Sequence, residues 1–252
     1  GFALLLVFMS FPYLKKNRTI NFSLKAVRQV LNSSTEWRDE NGTPWLQVAP
    51  KISLLSETDS RKPYPLTWEE QNLLFSELPE HLRLMALFKV NTGCREQEVC
   101  GLKWEWEHTL PDLDTSIFVA PSKFVKNRER RIIVLNDEAK KAIEQARDKH
   151  PVYVFTYKNH RIQRMNGNAW RKARNRAGLP LVRVHDLKHT WGYRLRFANV
   201  PEEDRRDLLG HKSGKSMTTH YSAADFKRLI DLANRVQPTK QGSHLMRISR
   251  ET

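Results

Sequence analysis

Apolar residues recur every three or four positions along most of the chain, which is the spacing of one face of an α-helix. A shorter segment that begins at Arg95 and ends near Leu102 is also predicted to be helical. The pattern predicts the other helices over residues 68–77, 80–91, 137–149, 168–177, 186–198, 202–209 and 224–236, and near-helical spacing also occurs in 21–38. Helices are therefore expected to dominate the fold.

Two short runs rich in β-branched residues, 116–120 and 130–135, predict strands instead, and 152–156 predicts a third. The basic segment 121–129 lies between the first two strands and is predicted to form the tip of a hairpin. The predicted fold class is therefore α+β, mainly α with a small antiparallel β-sheet.

Residues 39–66 interrupt this pattern with a polar stretch rich in proline, glycine and serine, which is typical of a linker. Thr67 and Glu70 then form a capping-box pattern, in which each side chain accepts from the other residue's backbone amide. A domain is therefore predicted to begin near residue 64. The apolar stretch 2–13 is too short to span a bilayer. We interpret it as a buried helix from a truncated N-terminal domain rather than as a targeting segment.

The composition of the 252 residues narrows the possible partners. With 39% hydrophobic and 28% charged residues, the chain can bury a packed core. Its net charge of +15 favours a polyanionic partner, since each neutralised phosphate releases counterions. Net charge alone does not separate nucleic acid from an anionic membrane surface. Cys94 and Cys100 lie in a predicted helix and fit a reduced cytosolic protein better than a disulfide scaffold.

Several polar residues suit the attack of a tyrosine hydroxyl on a phosphodiester. A phenol with a pKa of about 10 needs help in losing its proton. The phosphoryl transition state needs fixed cations, and the departing sugar oxygen needs a general acid. Each candidate residue has an ordinary structural explanation by itself, but their order makes coincidence improbable. In chain order they are Arg95, His185, Lys188, His211 and Tyr221.

The strings around these residues resemble the tyrosine recombinases, also called phage integrases. The matching strings are TGCREQEV at 92–99, HDLKHTW at 185–191, and Leu209-Gly210-His211 continuing to Tyr221, while KNRERRIIVL at 126–135 resembles the strand pair with the family's catalytic lysine. The resemblance covers about residues 64–236, with weaker similarity across 18–60. It implies a tyrosine-recombinase catalytic domain preceded by a truncated helical core-binding domain.

The resemblance also assigns roles to individual residues. It implies that Tyr221 is the nucleophile, which forms a 3′-phosphotyrosine and frees a 5′-hydroxyl. Arg95 and His211 would stabilise the phosphorane, and His185 would handle the tyrosine proton. Lys126 would protonate the leaving oxygen. This chemistry implies no metal, no ATP and no other cofactor.

The chain departs from the family pattern at three points. Lys188 stands where the family has arginine; it keeps the charge but loses the bidentate fork. We expect Lys188 to contact the phosphate. The spacing from His211 to Tyr221 is one residue longer than expected, and the N-terminal DNA-clamping domain is short. Lys123 is the alternative to Lys126 as the general acid.

Other basic residues are predicted to contact DNA. The predicted set comprises Lys123, Arg161, Arg164, Arg171, Lys172 and Arg174. The resemblance implies double-stranded DNA attachment sites as the partner, a homotetramer on DNA, possible accessory DNA-bending proteins and no membrane. It implies a bacterial cytoplasmic or nucleoid protein encoded by a prophage or genomic island. The amphipathic segment 224–236 packs either on its own domain or on a neighbouring protomer.

The predicted organisation is a partial core-binding domain and linker over 1–60, a catalytic domain over 64–240 and a tail over 241–252. The predicted function is site-specific DNA recombination. One alternative is a DNA-binding relative whose catalysis is impaired by Lys188 or by the short N-terminus. A second is a metalloenzyme that uses His185 and His189, which are four residues apart. A third is a type IB topoisomerase, which shares the chemistry.

Overall fold

The structure, a computed structural model, describes residues 16–57, 61–126, 128–211 and 222–238. The chain divides into two compact units, Gly1–Lys62 and Pro63–Thr252. In the first unit, helix α1 spans Asn17–Ser34. The buried Asn21 side chain bonds the backbone of Leu55 and the carboxylate of Glu57, so the segment after the helix returns along it.

The second unit is mostly helical with a small sheet. Its helices are α2 Trp68–Glu77, α3 Glu80–Thr92, α4 Glu96–Cys100, α5 Asp137–Ala146, α6 Asn168–Arg176, α7 Asp186–Phe197, α8 Glu202–Leu209 and α9 Ala223–Asn234. Its strands are β1 Glu107–Leu110, β2 Thr115–Ala120, β3 Arg131–Val134, β4 Thr156–Tyr157 and β5 His160–Arg161. The predicted α+β class is confirmed.

The sheet is built from local antiparallel pairs. Strand β2 lies between β1 and β3, with Phe118 opposite Ile133 in the β2–β3 pair. The basic segment 121–129 joins β2 to β3, as the sequence predicted. Strands β4 and β5 form a separate two-stranded pair.

One predicted strand is wrong, and one observed strand was not predicted. Residues 152–155 form no strand. Their pairing with residues 102–104 is limited to the Lys103–Tyr153 bridge and two backbone bonds, from the Trp104 amide to the Val152 carbonyl at 3.1 Å and from the Val154 amide to the Leu102 carbonyl at 3.0 Å. Strand β1 was missed because its sequence, EHTL, has no apolar alternation.

Two buried clusters hold the second unit together. The larger one surrounds α3, which buries residues such as Met85 and Phe88 against α5 and α7. The smaller one forms around Trp191 and Leu195 of α7, where α8 and α9 cover them. Helix α7 contributes to both clusters, so the residues at its N-terminus are fixed relative to α3 and α8.

The start of the second unit follows the capping box that the sequence predicted. The Glu70 amide donates to the Thr67 hydroxyl at 3.1 Å, and the Thr67 amide donates to the Glu70 carboxylate at 3.0 Å. These two bonds satisfy amides that the first turn of α2 leaves without helical partners.

Candidate active site

Arg95 stands directly after a sharp turn at the end of α3. Gly93 ends the helix in the left-handed conformation, with φ of 64°. A Cβ atom on Gly93 would lie 2.6 Å from the Trp191 ring, so the turn needs glycine for both its φ angle and its close packing. This turn carries the chain into α4, where Arg95 occupies the N-cap position.

Glu98 fixes the side chain of Arg95. Its carboxylate accepts from the Arg95 amide at 2.7 Å and from the Arg95 guanidinium at 2.9 Å. Burial by itself would raise the pKa of Glu98, but the charge of Arg131 and the bonds from Arg95 outweigh it and lower that pKa. Glu98 therefore stays ionised beside Arg95.

His211 follows a second turn of the same kind. Gly210 ends α8 in the left-handed conformation, with φ of 58°, and the His211 amide donates to the Arg206 carbonyl at 3.0 Å. Burial lowers the pKa of His211, and the nearby charges of Lys188, Arg95 and Arg131 lower it further. The imidazole of His211 therefore lies among the cations around Arg95 and favours its neutral form.

Lys188 connects these two turns. Its ammonium donates to the Gly93 carbonyl at 2.6 Å and to the Leu209 carbonyl at 2.5 Å. Only 7% of the residue is exposed, and burial together with the charge of Arg131 lowers its pKa from 10.5 to about 7. An ammonium has three N–H donors, so one donor remains for a phosphate oxygen.

Arg131, which sequence reasoning missed, connects the same turns from β3. One terminal nitrogen donates to the Thr92 carbonyl at 3.2 Å and to the Leu208 carbonyl at 2.7 Å. The other donates to the Asp207 carbonyl at 2.9 Å. The available signal was strand alternation, which places Arg131 on the buried face with Ile133.

Lys89 is a second buried cation that sequence reasoning missed. Its ammonium donates to the Cys94 carbonyl, and burial lowers its pKa to about 8. Lys89, Lys188 and Arg131 thus bind the consecutive carbonyls of residues 94, 93 and 92. The turn before Arg95 is therefore held by three cationic side chains.

His185 lies at the N-terminus of α7, next to the same cations. Burial lowers its pKa to about 4, with further contributions from His189, Lys89 and Lys188. Its ring meets the ring of His189 edge-on, with the ring centres 4.8 Å apart. His185 is therefore neutral at physiological pH, the form that accepts a proton.

Lys126 is exposed in the loop between β2 and β3. Phe124 anchors the first part of this loop by packing on Trp106, with ring centres 5.1 Å apart, and the Lys123 ammonium lies 5.2 Å from the Phe124 ring centre. In the described part of the chain, no hydrogen bond or ion pair joins Lys126 to the other site residues. The structure brings Arg95, Lys188, His185 and His211 together and leaves Lys126 on its hairpin.

Tyr221, the predicted nucleophile, lies outside the described residues. The side chain of Ser222, the next residue, accepts from the Asp225 amide and caps α9. Tyr221 therefore directly precedes the cap of a helix that packs in the cluster around Trp191.

The residues predicted to contact DNA fall into two groups. Arg161 and Arg174 are used within the fold, since they donate to the carbonyls of Cys100 at 3.1 Å and Val182 at 2.9 Å. The others are exposed, as Arg161 also is, and comprise Lys123, Arg164, Arg171 and Lys172. Arg171 also bonds the Asn168 side chain.

Two observations concern the alternative interpretations. Among residues 16–57, 61–126, 128–211 and 222–238, no group of three or more His, Cys, Asp and Glu could hold a metal ion. The pair of His185 and His189 thus finds no third ligand in those ranges. Within the same ranges, none of the helices is long and apolar enough to cross a membrane.

Comparison with known proteins identifies the family. The model of the phage integrase family matches residues 65–228, which is more than half of the chain. The chain belongs to the phage integrase family, and the resemblance to tyrosine recombinases is confirmed.

Two curated relatives match this chain at sequence identities below 30%. The chain is 29% identical to the integrase of Salmonella phage P22 over 184 residues, which cover 67% of this chain and 46% of that protein. It is 25% identical to a XerC-like tyrosine recombinase of Caldanaerobacter subterraneus subsp. tengcongensis over 209 residues, or 68% and 50% of the two chains. The chain therefore spans about half the length of these relatives.

Solved structures share the fold at lower identity. The Tn1549 transposon integrase in complex with circular intermediate DNA superposes with a TM-score of 0.59 at 15% identity, covering 84% of this chain and 78% of that one. A lambda integrase tetramer bound to a Holliday junction gives 0.57 at 17% identity, covering 82% and 62%. These similarities support the recombinase fold.

Proposed function

We propose that this chain is a site-specific DNA recombinase that cleaves and rejoins strands through a 3′-phosphotyrosine, without ATP or a metal. The observation that carries the proposal is the connection of two distant turns by Lys188. Its bonds to Gly93 and Leu209 hold Arg95 and His211 at one place on the surface. A cationic site of this kind suits a phosphodiester.

In this proposal, the cations act on the phosphate. Arg95 binds two non-bridging oxygens through its planar fork, and His211 donates to the same group. The remaining N–H of Lys188 donates a further hydrogen bond to the phosphate oxygens, on which negative charge develops in the transition state. Because these groups are held by the fold before DNA binds, little reorganisation is needed when the transition state forms.

Two side chains transfer protons in this proposal, the neutral His185 and the exposed Lys126. His185, with its lowered pKa, accepts the proton of the Tyr221 hydroxyl. Lys126, carried on the exposed hairpin, gives a proton to the departing 5′-oxygen. The bond from phosphorus to the 5′-oxygen is exchanged for one to the Tyr221 oxygen, which conserves the bond energy, so a 5′-hydroxyl from another strand can displace the tyrosine and reseal the strand without ATP.

The partner in this proposal is double-stranded DNA that carries attachment sites. The net charge of +15 and the exposed Lys172 and Arg171 support it. A homotetramer on DNA is supported by the lambda integrase structure, a tetramer bound to a Holliday junction. Accessory DNA-bending proteins, a bacterial cytoplasmic location and a prophage or genomic-island origin complete the proposal.

We also propose the domain organisation that the sequence predicted. Residues 64–240 form the catalytic domain, 1–60 a partial core-binding domain with its linker, and 241–252 a tail. The division of the chain after Lys62 and the family match over 65–228 support this assignment.

A nicked duplex tests the proposed activity. The substrates are nicked duplexes that span the chromosomal flanks of the gene, where an attachment site is expected. After cleavage, the short strand beside the nick should dissociate, so the protein cannot reseal the DNA. The covalent protein–DNA adduct that remains should survive denaturing electrophoresis. Tyr221→Phe should abolish the adduct, while Tyr157→Phe, a change at an exposed tyrosine on β4, should leave it intact. An adduct that persists in Tyr221→Phe would refute the nucleophile assignment.

One observation favours a second candidate function, that of a catalytically impaired DNA-binding relative. The Lys188 ammonium already donates to two carbonyls, whereas an arginine would add donors for phosphate. This candidate predicts salt-sensitive DNA binding without an adduct, and a gain of adduct in Lys188→Arg. An adduct with the unaltered protein would exclude it.

A further inference from the structure

Carbonyls at the ends of two helices accept hydrogen bonds from one side chain, Arg131. The last carbonyls of any helix lack partners within that helix. The Arg131 guanidinium donates to the Thr92 carbonyl at the end of α3. It also donates to the Asp207 and Leu208 carbonyls at the end of α8. Arg95 follows the end of α3 by three residues and His211 follows the end of α8 by two, so one guanidinium lies behind both.

The geometry of this contact is rigid. A guanidinium is planar, and its N–H groups point in fixed directions, so the carbonyls bonded to it are held at a fixed separation. Only 3% of Arg131 is exposed, and a Cβ atom on Gly210 would overlap the guanidinium. The second helix end therefore lies directly against Arg131.

Arg131 also connects the third part of the site. It is the first residue of β3, the strand that leaves the Lys126 loop. The hairpin of the proposed general acid and the turns of the proposed phosphate ligands therefore meet at a single buried side chain.

On the basis of the proposed function, we propose that Arg131 is a positioning residue of the DNA-cleavage reaction. It sets the separation between Arg95 and His211, and so places both on one phosphate. It does not touch the DNA. Lys188 bonds the same two turns through Gly93 and Leu209, but a flexible ammonium constrains direction less than a planar guanidinium does.

The first test compares single-turnover adduct formation on the nicked duplex. Arg131→Met should slow the reaction about 100-fold, the effect expected when reacting groups are displaced by about 1 Å. Arg131→Lys should recover part of this loss, because it keeps the charge without the fork. DNA affinity should change little. The matched control is Arg194→Met, which removes another buried arginine, one bonded to Gln71 and stacked on Trp68.

A double-mutant cycle separates positioning from general destabilisation. If Arg131 acts through the two turns, Arg95→Ala should lower the rate by a smaller factor in Arg131→Met than in the unaltered protein. His211→Ala should behave in the same way. Equal factors in both backgrounds would overturn the inference.

Amide hydrogen exchange on the DNA-free protein gives a readout that does not depend on activity. In Arg131→Met, exchange should accelerate at both Gly93 and His211, whose amides close the two turns, and stay unchanged at Gly178. In Arg194→Met it should stay unchanged at both turns.

Adduct formation tests the proposed function, whereas amide hydrogen exchange tests the role of Arg131 independently of it. A missing adduct in the unaltered protein would count against the proposed function alone, provided that the exchange rates at the two turns change together. Unchanged exchange at either turn would overturn the role of Arg131 whatever the activity.

Discussion

At the scale of single residues, the site depends on buried cations whose partners are backbone carbonyls. Lys188 and Arg131 bind carbonyl oxygens at the C-terminal ends of helices, where the partial negative charge of the helix dipole is greatest, and Lys89 binds the Cys94 carbonyl in the turn that follows α3. These dipoles compensate the buried charges in part. The lowered pKa values of Lys89 and Lys188 show that the compensation is incomplete.

The lowered pKa of Lys188 predicts a pH-dependent stability. Between pH 7 and 10.5 the unfolded chain binds more protons at this residue than the folded protein does, so the free energy of unfolding should rise with pH in this window. In Lys188→Arg the side chain stays charged, so this contribution should disappear. Urea unfolding at pH 7 and pH 9 should show an increase that is about 1–2 kcal/mol larger in the unaltered protein. Equal increases in both proteins would contradict the lowered pKa.

The roles of these residues could be predicted from the sequence only in part. The strings around Arg95, His185 and His211 are local, and the structure places those side chains together. The contacts of Arg131 were not predictable, because its partners are carbonyls of residues 92, 207 and 208, which carry no side-chain signal. For the same reason the sequence predicted a phosphate contact for Lys188 and gave no sign of its two carbonyl bonds.

At the scale of elements, the ends of α3 and α8 determine the site more than their lengths do. Both helices end at a glycine with positive φ, and each glycine packs directly against a large side chain. The positive φ and the missing Cβ are separate requirements. A third glycine, Gly178, shares the first requirement without the second, since a Cβ there would meet open space.

These glycines therefore form a matched set for mutation. Gly178→Ala should lower the free energy of unfolding by about 1 kcal/mol, the cost of the left-handed conformation alone. Gly210→Ala should lower it by about 3 kcal/mol or more, because its Cβ also displaces the Arg131 guanidinium. Urea denaturation of the two variants measures the difference. Similar losses in both variants would show that Arg131 does not pack on this turn.

Helix periodicity was the most reliable signal in the sequence. The observed α2 and α8 have the predicted bounds of 68–77 and 202–209, because α2 begins with a capping box and α8 lies between Pro201 and Gly210. The error at 152–155 arose because a short apolar run has the same pattern in a buried strand and in a buried irregular segment.

At the scale of the whole molecule, the charge distribution separates surface cations from structural ones. The net charge of +15 is expected to drive DNA binding, but not every basic residue takes part. Lys172 is exposed on α6, whereas the Arg174 guanidinium of the same helix donates to the Val182 carbonyl. Two neighbouring cations on one helix therefore have different expected roles.

The salt dependence of DNA binding distinguishes these roles. Lys172→Ala should reduce the slope of log K against log salt concentration by about 0.9, as expected for the loss of one phosphate contact. Arg174→Ala should leave the slope unchanged and lower the melting temperature instead. Fluorescence anisotropy at several salt concentrations gives the slopes. A reduced slope in Arg174→Ala would place that side chain on the DNA.

In the proposed reaction, a tyrosine of this chain becomes joined to DNA at a site built around Arg95 and His211. The most direct test of this reaction is mass spectrometry of the trapped adduct after digestion with protease and nuclease. We expect a peptide that carries a nucleotide 3′-phosphate on Tyr221, in amounts that fall sharply in Arg95→Ala. A nucleotide on any other residue, or one attached through its 5′-phosphate, would contradict the proposed reaction.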